Sequence, residues 1–270
     1  MKIVRFVSEE GRTSWGSLRA DKPGEAGILS GERFGEFEET GRTARIGRLL
    51  APLEPPNILA VGLNYGRHAE ETNIARPEIP VVFLKATTSV IGPEEMILLP
   101  SIGPEQVDYE AELAVIIGKR AKNVKREDAL GYVFGYACAN DVSARDWQIE
   151  LQKSQWSRGK SFDTFCPLGP CIVTADEIGD PNRLGIRAIL NGRVMQDSNT
   201  SDMIFDVRGL ISDLSRSFTL LPGTVILTGT PGGVGFTREP PVFLREGDVI
   251  TIEIDEIGSL SNRVGREPGE

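Results

Sequence analysis

Asp108-Tyr109-Glu110-Ala111-Glu112-Leu113-Ala114-Val115-Ile116-Ile117-Gly118 decides how this chain is read. Leu113 to Ile117 is a continuous apolar run of strand length, closed by a glycine, and such a run belongs inside a sheet. Side chains two apart on a strand share a face, so Asp108, Glu110 and Glu112 line up if the strand extends back through them. Adjacent carboxylates repel one another, and a bound cation or a proton on one of them relieves the repulsion. The same spacing fits an exposed polar edge, so on spacing alone a cation site and a solvated face both stand.

Outward from this strand, β signals dominate. Ile58–Gly62, Val81–Leu84, Tyr132–Cys138, Cys171–Thr174, Ile186–Leu190, Val225–Thr228 and Val249–Ile254 are short runs bounded by Gly, Pro or Asn. Asn191-Gly192 is the signal of a type I′ hairpin. Two segments read as helices: Ser143–Gln152, and Asp202–Arg216, where Met203, Ile204, Val207, Leu210, Ile211 and Leu214 recur at helical spacing as a core stripe. Many strands, few helices and 30 glycines predict a β-rich α+β fold. Ahead of it, Lys2–Val7 and Ser14–Arg19 are strand candidates, followed by turns at Pro23–Gly27 and Gly31–Gly41 and a stiff connector at Ala51–Pro56. The reading is a small N-terminal β-rich subdomain over residues 1–50 and a main domain over residues 57–270.

Composition excludes several function classes. The net charge is −9 and there is no Lys/Arg run, so the cationic stripe that nucleic acid requires is missing. Met1–Glu10 lacks the apolar stretch of a signal peptide, and the longest apolar runs fall short of a membrane span. The three cysteines, Cys138, Cys166 and Cys171, show no CxxC spacing and read as reduced thiols of a cytoplasmic protein.

Four further places can carry chemistry. Asp141, after the strand ending at Ala139, is either an ordinary N-cap for the helix that follows or a carboxylate at a strand end, where sites commonly lie. His68, the only histidine, is three residues from Glu71, so on a helix the carboxylate can orient the imidazole; a surface histidine among acidic neighbours is the plain alternative. Gly66 before this segment and Pro77 and Pro80 after it suit a mobile lid. Thr228-Gly229-Thr230-Pro231-Gly232-Gly233-Val234-Gly235 suggests backbone amides offered to an anion, or else a tight turn. Lys160 can pair with a substrate carboxylate or be solvated.

Taken in order, Asn64-Tyr65…His68…Glu71, Val82-Phe83-Leu84-Lys85, Asp108–Val115, Asn140–Asp146, Gly159–Asp163 and Thr228–Pro231 resemble the fumarylacetoacetate hydrolase family. The resemblance implies a mixed β-sandwich roll, a homodimer, and Mg²⁺ or Mn²⁺, with Ca²⁺ in some members. Glu110, Glu112 and Asp141 fall on the family's metal ligands, His68 and Glu71 on its water-activating pair, and Lys160 and Gln148 beside metal and substrate. Thr230, Gly229 and Lys85 fall near substrate, whereas Asp108 is not carried over as a ligand. Gln152 stands where some hydrolases carry a tyrosine that contacts substrate. The implied activity is metal-dependent hydrolysis of a C–C bond in an acylpyruvate, with His68 activating water. The alternative at the same site is a 2-oxo acid decarboxylase or a 2-hydroxy-diene-dioate isomerase or tautomerase. A non-enzymatic Ca²⁺ module is disfavoured, because no EF-hand loop is present.

Overall fold

Alternation along Ala111–Ile117 sorts its side chains between two cores. The computed structural model, which describes residues 1–268, buries this strand at every position. Ala111, Leu113, Val115 and Ile117 enter one apolar cluster, and Ala114 and Ile116 enter the other. A strand covered on both faces has few polar positions to spare, which is why Leu113–Ile117 is an unbroken apolar run; Glu112, buried with the rest, is the exception.

Ala111–Ile117 pairs antiparallel with Val133–Asn140 on one side and with Val225–Leu227 on the other. Beyond Val225–Leu227 lie Ile58–Gly62, joined in parallel, and the edge strand Val81–Lys85. Beyond Val133–Asn140 lies Cys166–Thr174, which pairs with Lys2–Ser8. Together with three more N-terminal strands and Val90–Ile91, these make an eleven-stranded sheet. A five-stranded sheet, with Gly185–Leu190 and Val249–Ile254 near its centre, supplies Ile186, Ala188, Ile250, Ile252 and Ile254 to the cluster that holds Leu113 and Val115. The architecture is the expected β-rich α+β fold with few helices. Asn191 and Gly192 both have positive φ, 51° and 79°, and close the predicted hairpin between Leu190 and Arg193.

Three local differences from the sequence reading have physical causes. The turns expected at Pro23–Gly27 and Gly31–Gly41 are largely replaced by a pair of strands, Glu25–Gly31 and Phe37–Leu50; the latter buries no side chain fully, so its order comes from its partners. Ser143–Gln152 is not one helix. Ser143–Ala144 is drawn into a two-stranded ladder with Val107–Asp108, and only Asp146–Leu151 winds, as a π-helical turn. The helix expected over Asp202–Arg216 starts at Val207, capped by Asp206, whose carboxylate accepts from the Gly209 amide at 2.8 Å. Met203 and Ile204 instead bind the segment Asn64–Tyr65, through a bridge to Tyr65 and an Ile204 amide bond to the Asn64 carbonyl. That anchors the root of the short helix Gly66–Glu71, which carries His68.

Among the described residues, no helix is long and apolar enough to cross a membrane.

Candidate functional site

The chain leaves its ladder between Asp108 and Ala111, and this break separates three carboxylates that would otherwise share one strand face. Asp108 belongs to the small ladder with Ser143. Its Oδ1 accepts from the amides of Tyr109 and Gly235, both at 2.8 Å. Its Oδ2 accepts from the Phe236 amide at 3.0 Å and from Arg145 Nε and Nη2 at 2.9 and 2.7 Å. Five donors on one buried carboxylate fix the Gly235–Phe236 segment and Arg145 to each other.

Glu110, Glu112 and Asp141 converge. All three are buried, and each offers an oxygen within 4.8 Å of those of the other two. Backbone bonds hold the cluster: the Asp141 amide donates to the Glu110 carbonyl, and Asn140 Oδ1 accepts from the Glu110 amide, both at 2.9 Å. Asp141 caps no helix, because a strand follows it. Its Oδ1 accepts from Lys85 Nζ at 2.5 Å and its Oδ2 from Lys160 Nζ at 2.7 Å. Lys160 also donates to Glu110 Oε2 at 2.9 Å and Ser143 Oγ at 2.7 Å, so its three ammonium protons are all engaged. Lys85 is saturated too, by Asp141 and the carbonyls of Val142 and Lys160.

The buried charges do not balance. Asp108, Glu110, Glu112 and Asp141 are four carboxylates facing three cations, Lys85, Lys160 and Arg145. Burial alone raises the Glu110 pKa, but Lys160 and Arg145 outweigh it and bring the value down to about 2. Glu112 fares differently. Burial and the charges of Asp141 and Glu110 push its carboxyl well above the usual range, and its one donor among the described residues is the Gly229 amide at 2.7 Å. An all-oxygen, anionic donor set short of one positive charge fits a hard divalent cation.

Above the cluster opens a cavity of about 400 Å³, whose walls include His68, Glu71, Glu110, Arg145, Gln148, Lys160 and Thr230. His68 Nδ1 lies 2.7 Å from Glu71 Oε1, as the three-residue spacing suggests. Glu71 Oε2 accepts from the Gly233 amide at 2.8 Å, fastening the helix to the glycine-rich loop. That loop's amides therefore serve the protein's own acids: Gly229 serves Glu112, Gly233 serves Glu71, and Gly235 serves Asp108. Gln148 Oε1 accepts from Arg145 Nη1, and Thr230 Oγ1 accepts from Gln196 Nε2, both at 2.8 Å. Gln148 and Thr230 both line the cavity. Of the carboxylate cluster only Glu110 lines it; Glu112, Asp141, Lys85 and Gly229 are not among its lining residues. The sequence reading did not single out Arg145, Ser143 or Gln196; each acts through another residue, and no local spacing marks such a contact.

The comparisons agree on kinship. A family model described as fumarylacetoacetate (FAA) hydrolase C-terminal matches residues 57–265, and one described as Rv2993c-like, N-terminal, matches residues 1–52. A Xenopus laevis protein named oxaloacetate tautomerase fahd2, mitochondrial, is 52% identical over 217 residues, which is 80% of this chain and 68% of that protein. The crystal structure of 5-carboxymethyl-2-hydroxymuconate delta-isomerase from Mycobacterium smegmatis superposes with a TM-score of 0.87 at 41% identity, covering 99% of this chain and 100% of that one. That of 2-hydroxyhepta-2,4-diene-1,7-dioate isomerase from Mycobacterium marinum gives 0.85 at 39%, covering 100% of each. With the matching model spanning the strand that carries Glu112, both flanking lysines and the glycine-rich loop, the chain belongs to the fumarylacetoacetate hydrolase family of enzymes.

Proposed function

We propose that this enzyme interconverts the keto and enol forms, or shifts the double bond, of a small 2-oxo acid. In this reading Glu110, Glu112 and Asp141 hold Mg²⁺ or Mn²⁺. The observation that carries it is the His68–Glu71 pair, which faces the same cavity as Glu110 and Lys160. Keto acid and enol differ only in whether one proton sits on C3 or on the 2-oxygen. A neutral imidazole whose Nδ1–H is given to Glu71 keeps Nε2 as an acceptor, able to take a proton from carbon and return it. When bound, the cation supplies a Lewis acid that polarises the 2-oxo group. Lys160, with every donor engaged, holds Glu110 and Asp141 in place and adds positive charge without giving up a proton. Gln148 Nε2 and the Thr230 hydroxyl remain to bind the substrate carboxylate.

The names of the relatives, a tautomerase and two isomerases, support this reading over C–C hydrolysis. Hydrolysis needs the same pair to activate water, and products separate the two. Decay of the oxaloacetate enol, followed by ultraviolet absorbance, is expected to be accelerated with Mg²⁺ and to return to the background rate with EDTA. Rapid release of acetate and pyruvate from acetylpyruvate would make the enzyme a hydrolase instead. Release of CO₂ from oxaloacetate would make it a decarboxylase.

His68→Ala is predicted to lower kcat by about 100-fold or more, the usual contribution of a placed general base. Turnover within a few-fold of the parent would remove that role. Mg²⁺ at a hundred times its Kd is predicted to raise the melting temperature by about 5 °C, since a ligand that binds only the folded state adds about 2.7 kcal/mol there. An unmoved melting curve at millimolar Mg²⁺ and Mn²⁺ would argue against the assigned ligands.

A further inference from the structure

The cavity lining carries two unlike sets of side chains. Glu110, Arg145 and Lys160 are joined by ion pairs at 2.8–2.9 Å, and His68 lines the same cavity. Val61, Leu63, Phe83 and Trp156 form an apolar set, with Ile74 and Ile149, 49% and 42% exposed, at its mouth; Thr72 and Ser154 are in the lining too. Phe83 links the two sets. Lys160 Nζ lies 5.2 Å from its ring centroid, and the Trp156 ring meets it edge-on with centroids 5.7 Å apart.

Two backbone features shape the apolar set. Trp156 lies against the chain at position 62 because that residue is glycine: a β-carbon there would come 2.1 Å from the indole Cζ3. The next residue, Leu63, is held at φ 52°, a conformation that glycine or asparagine adopts at far lower cost. An expensive leucine and an indole seated on a glycine form a wall built for hydrocarbon. Among the described residues that line the cavity, the only basic side chains are Arg145, Lys160 and His68, and the first two are already paired with Glu110.

We infer that the preferred substrate is a 2-oxo acid, or its enol, whose chain beyond C3 ends in an apolar planar or branched group and not in a second carboxylate. The inference rests on the tautomerase reading for its chemistry and on the cavity wall for its specificity. A four-carbon dicarboxylate occupies only a fraction of 400 Å³, and its second charge would find no further cation in the lining to receive it. An aromatic group in the same place buries its whole surface against Phe83 and Trp156.

The test compares the enols of phenylpyruvate and oxaloacetate on the Mg²⁺-loaded enzyme, with their equilibrium affinities measured by calorimetry on the same preparation. The kcat/KM for phenylpyruvate is expected to exceed that for oxaloacetate about 10-fold or more, carried mainly by KM, with affinities in the same order. Ile149→Arg, at the partly exposed mouth, is expected to lower that ratio about 10-fold by giving a distal carboxylate a partner, with an unchanged melting temperature as the check on folding. A preference for oxaloacetate that Ile149→Arg does not move would overturn the inference and leave the tautomerase reading standing. Mg²⁺-dependent turnover of neither acid would overturn the tautomerase reading; the affinities would then decide the specificity, equal or oxaloacetate-favouring values overturning it.

Discussion

Asp108→Ala is expected to lower the free energy of unfolding by about 3–5 kcal/mol, the cost of stripping a partner from a buried charge. Arg145 is 4% exposed and gives Nε and Nη2 to Asp108, so without that carboxylate its guanidinium keeps, among the described residues, Glu110, Gln148 and the Phe236 ring. Three backbone amides, of Tyr109, Gly235 and Phe236, lose their acceptor in the same step. For a chain of this size the melting temperature should fall by roughly 10 °C. Asp108→Asn keeps an acceptor oxygen and should fall less. Equilibrium denaturation of the two variants beside the parent gives the comparison, and a loss below about 1 kcal/mol for the alanine would mean that the five bonds contribute little.

Glu112→Gln is expected to do the reverse, harming activity and sparing the fold. The side chain keeps its shape and an oxygen for the Gly229 amide, and the change removes a charge that burial, Asp141 and Glu110 all disfavour. The metal-free variant should therefore melt at or above the temperature of the parent. The rise on adding Mg²⁺ should vanish, and metal-dependent turnover should fall by about 1,000-fold, on the order of several kcal/mol of lost charge stabilisation. A variant that still responds to Mg²⁺ like the parent would mean that Glu112 is not a ligand. Residues kept at a cost to stability are the mark of a site maintained for function.

How far the sequence could be read depended on whether cause and effect lay close together in the chain. Leu113–Ile117 was legible because burial on both faces leaves a bare apolar run, and Asn191-Gly192 because only certain residues accept positive φ. Phe37–Leu50 was not legible: it is held by pairing, with little burial of its own to leave a pattern. Glu110 and Glu112 stood out through their two-residue spacing and His68 with Glu71 through their three-residue spacing. Asp141 was ambiguous for a physical reason. A cap and a charged cluster begin with the same residue, and the partners that decide between them, Lys85 and Lys160, lie 56 and 19 positions away. Asp108 matched the spacing of its neighbours, yet the break before Ala111 turned it to Arg145, a redirection that periodicity does not record. The family resemblance joined the distant pieces, but it could not say that the loop amides serve internal acids.

Those amides set where the molecule can change over evolutionary time. Acids from three separate elements, Glu112, Glu71 and Asp108, are registered on one short loop at Gly229, Gly233 and Gly235. One residue inserted or deleted between Gly229 and Gly235 would put at least one of these acids out of step with the others, which constrains the length of the loop. The mouth of the cavity is tied to no such ruler. New substrate ranges can arise there by single exchanges at Ile74 or Ile149, while the machinery beneath stays as it is.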